Sequence, residues 1–316
     1  MKTTITITVV KHSEHSTVEV NDAITEAFGE FDRIVKQYTR FNENSELSNL
    51  NRRSGEWTTV TSEFLMLIKR MLEISAKSDG AFDPTVIDYL ETYGYDPNYD
   101  FSKLDNPDLD NHVKKLAETR KSWKEIELNE AESSVKLAAG QRIDLGGIGK
   151  GYAIDCAYEK LNKYPDFLID AGGDIRCKGL NDEGKPWKLN LLHKAKDRSG
   201  DGQGDQNLKE SLKNPNAGSS IGYVEISDLA IACSGSWARR VKQFHHILDP
   251  RTGAPVESMQ TVYVSATDAT LADSWATALF VAGRDLLGKL PAEMGAILID
   301  EHNKAIIAGS FPELKN

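Results

Sequence analysis

The hydrophobic positions of this chain change period several times, and each change marks an element. The opening MKTTITITVV alternates threonine with isoleucine or valine, the two-residue period of a half-buried strand over 3–10. Over 18–38 the period lengthens. Val18, Ile24, Phe28, Phe31, Ile34, Val35 and Tyr38 fall mostly three or four apart, which predicts an amphipathic helix. The polar stretch 39–57 reads as a loop with short turns. Phe64, Leu65, Leu67, Ile68, Met71, Leu72 and Ile74 predict a second helix over 62–78, stopped by Gly80. Pro84 then breaks the chain inside 81-AFDPTV-86, and 87–121 reads as mixed, polar and partly helical.

The segment 125–138 alternates as strands, and Ile143 to Leu145 leads as a strand into the glycines of 146-GGIGKG-151. Ile154, Ala157, Tyr158 and Leu161 then predict a helix over 152–163. The stretch 167–179 reads as a hairpin turning at Gly172-Gly173. Residues 194–220 are crowded with Gly, Asp, Asn, Ser and Lys, so a mobile surface insertion is expected there. Strands are expected at 221–234, 243–248, 261–267 and within 295–309, with a helix at 270–283. No repeat and no clean linker interrupts this order. One α+β domain over 1–316 is therefore expected, not a regularly alternating α/β fold.

Composition narrows the function classes. A chain of 316 residues buries a large core, and 40% apolar with 27% charged residues is ordinary for a globular protein. A net charge of −10 argues against nucleic acid or an anionic membrane as partner. No run approaches the ~18 apolar residues needed to cross a bilayer. The alternating start is unlike a signal peptide, so the chain as written reads as cytoplasmic, or as exported if a leader was trimmed. Cys156, Cys177 and Cys233 are far apart and lack metal-ligand spacing, which predicts unpaired, packed thiols.

Four segments carry candidate chemistry. The glycine loop is not a P-loop: five residues before Gly149-Lys150 stands Asp144, and Gly151 follows where Ser or Thr is required. It also fails the dinucleotide pattern, because Tyr152 takes the last glycine position. Closely spaced glycines let main-chain groups approach a ligand, with Asp144 to accept hydrogen bonds and Lys150 to meet a phosphate. The plainer reading is a tight turn under a helix. In 266-ATDATLADSWATALFVAG-283, Asp273 and Thr277 share a helix face at i and i+4, supplying two oxygens for a hard cation such as Mg2+. Trp275, Leu271 and Leu279 lie on another stripe, which would bury the helix. That face lies near a helix N-terminus, where the dipole favours anions, unless phosphate binds with the metal.

In 244-FHHILDPRTGAPV-256 the neighbouring histidines of a strand would point to opposite faces, so His245 and His246 should not chelate one metal. One of the two is a candidate base, although strand histidines are more often structural. In 80-GAFDPTV-86, Asp83 and Thr85 read either as exposed to a site or as a helix stop followed by an Asx turn. No Gly-x-Ser-x-Gly elbow and no His-Glu-x-x-His occurs, which weakens simple hydrolase readings.

Together these segments resemble the ApbE family, the FAD:protein FMN transferases. The resemblance is carried by 38-YTRFNENSELSNLN-51, 80-GAFDPTV-86, 144-DLGGIGKGYAID-155, 168-LIDAGGDIRCKG-179, 234-SGSWARR-240, 245-HHILDPRTGAPV-256 and 268-DATLADSWATALFVAG-283, in the family's order. It implies an α+β, T-fold-like arrangement with FAD in a cleft between lobes. It also implies Mg2+-dependent transfer of FMN from FAD to a Thr or Ser hydroxyl of an acceptor protein, with release of AMP. By position, Asp144 and Lys150 would contact FAD, and Phe41, Ala81, Phe82, Asp83 and Ile247 would line its site. The Gly147 carbonyl, Asp273 and Thr277 would hold Mg2+, and His246 would assist acceptor activation, its reference pKa of about 6.5 suiting proton transfer near neutrality. Where relatives read Met-Gly-Thr, this chain reads Met1-Lys2-Thr3. Two other readings use the same residues: an FAD pyrophosphatase with water as acceptor, and a flavin-binding protein without turnover.

Overall fold

The structure, a computed structural model, describes residues 3–193, 219–237 and 239–315. The expected insertion therefore lies outside the described residues except for Ser219 and Ser220, as do Met1 and Lys2. The strands are β1 (Ile5–Val9), β2 (Trp57–Thr59), β3 (Glu127–Asn129), β4 (Ser134–Lys136), β5 (Phe167–Ala171) and β6 (Asp174–Lys178). They continue with β7 (Trp187–His193), β8 (Ser219–Ile226), β9 (Ala230–Gly235), β10 (Met259–Ala266), β11 (Gly295–Asp300) and β12 (Ala305–Gly309). The helices are α1 (Thr17–Tyr38), α2 (Glu46–Arg52), α3 (Ser62–Lys77), α4 (Ile87–Thr92), α5 (Leu109–Thr119), α6 (Gly149–Leu161) and α7 (Ala269–Ala282).

Seven strands form one antiparallel sheet in the order β1-β5-β6-β9-β10-β11-β12. Its two faces are covered differently, and the strands show it at a period of two. Val262, Val264, Ala296 and Leu298 enter the main core with α6 and α7. Their neighbours Tyr263, Ile297 and Ile299 enter a second core with Leu189, Leu191 and Val224 of the β7–β8 hairpin. A smaller apolar cluster joins α4 and α5 through Tyr89, Tyr95, Leu109 and Val113. The fold is α+β, as expected. All three cysteines are free thiols. Among the described residues no helix is long and apolar enough to cross a membrane.

Several expected elements are corrected. In α1 the buried stripe runs through Val20, Ala23, Ala27, Phe31, Ile34 and Tyr38, whereas Val18 and Phe28 are exposed. The helix lies against α6, and its alanines count as buried surface that a search for large side chains passes over. The loop expected at 39–57 contains α2. Ser45 caps this helix by accepting the Ser48 N–H at 3.0 Å, and Leu47 and Leu50 bury its inner face.

No strand forms at Ile143–Leu145. The Asn51 side chain replaces a partner strand: its Nδ2 donates to the Ile143 carbonyl and its Oδ1 accepts the Ile143 N–H, both at 2.9 Å. Asn51→Leu should leave both buried groups of Ile143 unsatisfied, costing about 1–3 kcal/mol, which a thermal melt would register. Nor is 243–248 a strand; only isolated bridges at Val241–Phe244 and Leu248–Pro255 occur. The segment folds back on itself instead, with Asp249 N–H donating to the Ala254 carbonyl at 2.8 Å and Gly253 N–H to the Asp249 carbonyl at 2.7 Å.

Candidate functional site

The glycine turn is built from both sides. Asp144 N–H donates to the Pro84 carbonyl at 2.7 Å, tying the turn to the 80–86 segment, and the Asp144 carboxylate accepts the Gly146 N–H at 3.0 Å. A Cβ on Gly147 would lie 3.1 Å from Phe82 Cε2 and 3.4 Å from Thr277 Oγ1. The main chain here is thus pressed between Phe82 and α7. Only Gly146 and Gly147 precede the next helix: α6 starts at Gly149, earlier than the hydrophobic pattern suggested, so Lys150 and Gly151 lie in its first turn.

Gly151 sets the distance between α6 and α7. A Cβ there would fall 2.2 Å from the Ala269 carbonyl oxygen, so only glycine lets the helices approach this closely. The approach lets Gly151 N–H donate to Asp273 Oδ2 at 3.0 Å. One turn further along α6, Asp155 accepts the N–H groups of Ala269 and Thr270, both at 2.9 Å, and also pairs with Arg176 at 2.8 Å. Asp268 caps the same helix end through the Leu271 N–H at 2.8 Å and is held by Arg70. The positive end of the α7 dipole is therefore already answered by two carboxylates. This removes the conflict between an anion-attracting helix start and a cation at Asp273.

Asp273 is buried, and its pKa is pushed up to about 7. Burial is the main cause and nearby Asp174 adds to it, while Lys150 and the Gly151 N–H oppose the shift. Lys150 places its ammonium 2.7 Å from Asp174 Oδ2. Burial works against that ammonium, yet Asp174 and Asp273 outweigh it and hold its pKa above the ordinary lysine value. Thr277 is half-buried one turn beyond Asp273. The helix around them is enclosed nearly all round, with Trp275 and Leu279 fully buried and Leu271 half-buried.

The 80–86 segment departs from one expectation. Asp83 and Thr85 are not exposed: they are 7% and 2% accessible. Asp83 accepts the Thr85 N–H at 2.9 Å in an Asx turn and pairs with Arg120 at 2.9 Å, while Gly80 at φ +75° ends α3. The turn holds Phe82 against Gly147, and both Phe82 and the neighbouring Ala81 are buried.

The two histidines separate, although not because a strand alternates them. His245 is buried, with Nε2 donating to the Val256 carbonyl at 2.8 Å and Nδ1 accepting the Ile247 N–H, which is a structural role. Ile247 itself packs in the main core. His246 is half-buried, its ring 6.3 Å from that of Tyr95. Phe41 is exposed and carries the Arg40 guanidinium 4.5 Å above its ring.

Sequence reasoning missed the residues that connect these points. Arg40 reaches Asp144 at 3.3 Å and donates to the Tyr95 carbonyl at 2.6 Å. The Tyr95 hydroxyl donates to the Arg239 carbonyl at 2.7 Å. Arg40 and Tyr95 therefore link Phe41, Asp144 and the neighbourhood of His246. Asp155 had a readable signal, four residues after Gly151 on one face of α6; Asp174 had none beyond sitting in a motif, and Tyr95 lies outside every motif. Among the described residues no group of three His, Cys, Asp or Glu side chains could hold a metal. The oxygen set of Asp273, Thr277 and a main-chain carbonyl is of another kind.

The chain matches the ApbE family over residues 1–298. It belongs to that family. This ApbE-family chain is 29% identical over 289 residues to an FAD:protein FMN transferase of Chlamydia pneumoniae, covering 85% of this chain and 79% of that protein. The crystal structure of the ApbE protein from Thermotoga maritima superposes with a TM-score of 0.77 at 28% identity, over 96% of this chain and 93% of that one. The flavin transferase ApbE from Vibrio cholerae shares the fold, with a TM-score of 0.79 at 22% identity over 98% and 95% of the two chains.

Proposed function

We propose that this ApbE-family protein is an FAD:protein FMN transferase: it moves the FMN moiety of FAD to a Thr or Ser hydroxyl of an acceptor protein and releases AMP, with Mg2+. The observation that carries this is the meeting of Gly147, Phe82, Thr277 and Asp273 from three separate segments. The donor set fits a hard cation. Asp273 is a buried carboxylate with one oxygen on Gly151 N–H, Thr277 stands on the same helix face, and the backbone at 147 is unshielded by a Cβ. Asp273, Thr277 and the Gly147 carbonyl would hold Mg2+, which supplies charge neutralisation at the pyrophosphate.

The rest of the work belongs to the chain. Phosphoryl transfer needs positioning and electrostatics more than covalent help from the protein. Asp144, aligned by Arg40, and the wall of Phe41, Ala81 and Phe82 would orient FAD. His246 would take the proton of the acceptor hydroxyl as its oxygen bonds to the FMN phosphorus. The bond from that phosphorus to the bridging oxygen breaks, and AMP leaves with that oxygen. His246→Ala should lower transfer about 100-fold or more with FAD binding kept, read by single-turnover assay and by flavin titration.

The deciding experiment incubates the purified protein with FAD and Mg2+, with and without a candidate acceptor domain, and follows AMP and the acceptor's mass. AMP with acceptor only, together with an FMN mass gain, supports transfer. AMP and free FMN in both tubes would replace transfer with pyrophosphate hydrolysis. Intact FAD with every acceptor domain of a flavinylated set would leave a binding protein.

A further inference from the structure

Lys150, which the family resemblance would place on FAD, turns its ammonium instead to Asp174 and joins a group of charges near Asp273. Asp174, at the start of β6, is wholly buried. Its Oδ1 accepts the Cys233 N–H of β9 at 3.0 Å, beyond the last β6–β9 pair at Ile175–Ile231, so the side chain extends the ladder and is fixed by it. Its Oδ2 faces Lys150 Nζ at 2.7 Å. Asp170, across the β5–β6 turn, is held by the Gly173 N–H at 2.9 Å and also feels Asp174 and Lys150. Asp273 feels both Lys150 and Asp174. Lys150 directly precedes Gly151, whose N–H lies 3.0 Å from Asp273 Oδ2, so this one lysine stands between Asp174, which it pairs, and Asp273.

Such a cluster has a fixed anchor and a long, flexible cation. The Asp174 carboxylate cannot move without breaking its bond to β9, whereas the lysine stem can swing. One cation close to Asp273 must oppose the arrival of another, because like charges repel strongly where water is scarce.

Resting on the metal reading above, we infer that Lys150 is the resident counter-cation of Asp273, competing with the divalent metal, and that Asp174 is the positioning residue that holds the ammonium back so that the metal can enter. Affinity for the metal is then set by a pair of residues that do not ligate it. The pair makes opposite demands on its two members, which a packing role would not.

The test is Mn2+ binding, followed by electron paramagnetic resonance without flavin, on the full chain. Lys150→Met should tighten Mn2+ binding roughly 10-fold by removing the competitor, and Asp174→Asn should weaken it roughly 10-fold by freeing the ammonium for Asp273. The double variant K150M/D174N, which removes both members of the 2.7 Å ion pair together, should return to within about 3-fold of the unmodified protein, and it serves where a single variant does not fold. Both single changes weakening binding, neither changing it, or a double variant far from the unmodified protein would overturn the inference. If the unmodified protein takes up no Mn2+, the metal reading falls and this one with it. Uptake by the unmodified protein without the opposed shifts overturns this inference alone.

Discussion

Asp273→Asn will cut FMN transfer by about 1000-fold, equivalent to about 4 kcal/mol of transition-state stabilisation, while FAD still binds. Asparagine keeps an oxygen for the Gly151 N–H, now 3.0 Å from Asp273 Oδ2, so the α6–α7 contact survives. What is lost is the charge. In the metal-free protein that charge is not a source of stability: burial and Asp174 push the Asp273 pKa up to about 7, which means that the fold disfavours the ionised form. The melting temperature without metal should therefore hold or rise, even as transfer disappears. A carboxylate kept at a cost to the fold is what the proposed metal role requires. Full transfer activity in this variant would remove Asp273 from the site, and a lower melting temperature with unchanged activity would make it structural.

Gly151→Ala will be strongly damaging, although it lies in a helix, where alanine is ordinarily favoured. The new Cβ would fall 2.2 Å from the Ala269 carbonyl oxygen, a backbone atom at the start of α7. No rotamer relieves that clash; α6 and α7 must part. Separation would also pull Asp155 from the N–H groups of Ala269 and Thr270 and move Asp273 from Gly151. Overpacking typically costs 1–3 kcal/mol, and a rigid backbone target places this case at about 3 kcal/mol or more. At roughly 2–4 °C per kcal/mol the melting temperature should fall by about 6 °C or more, with transfer lost as well. Gly149→Ala is the control two residues away. Its Cβ would meet only Leu145 Cβ at 3.6 Å, an ordinary contact, and helix propensity should make the change neutral or stabilising by up to about 1 kcal/mol. Equal effects from the two substitutions would refute the account of the α6–α7 approach.

The two glycines show where reading the chain in one dimension stops. That 146–151 is special was visible from glycine spacing, but which glycine is indispensable depends on a carbonyl more than a hundred positions away. The Asp273–Thr277 pair was legible because its geometry is local: an i, i+4 spacing needs only that the segment be helical. The supposed strands at 143–145 and 243–248 misled for one physical reason. Their backbone groups find partners in a side chain or a nearby turn, Asn51 for Ile143 and the 249–254 turn for the histidine segment, so alternation never became a ladder. In α1, alanine at the packed face and valine at the exposed one defeated a rule that equates size with burial.

By itself the sequence determined the element order over most of the chain, the α+β class, the free cysteines and, through motifs spread over its whole length, the family. These rest on short-range periodicity and on residue identities, which a linear string preserves. Only the tertiary structure decided that Asp155 spends the α7 dipole, that Arg40 and Tyr95 join the Asp144 turn to the His246 segment, and that Lys150 faces Asp174. Charge interactions act through space and fall off with distance, so their partners emerge only once the chain has folded residues distant in sequence into contact.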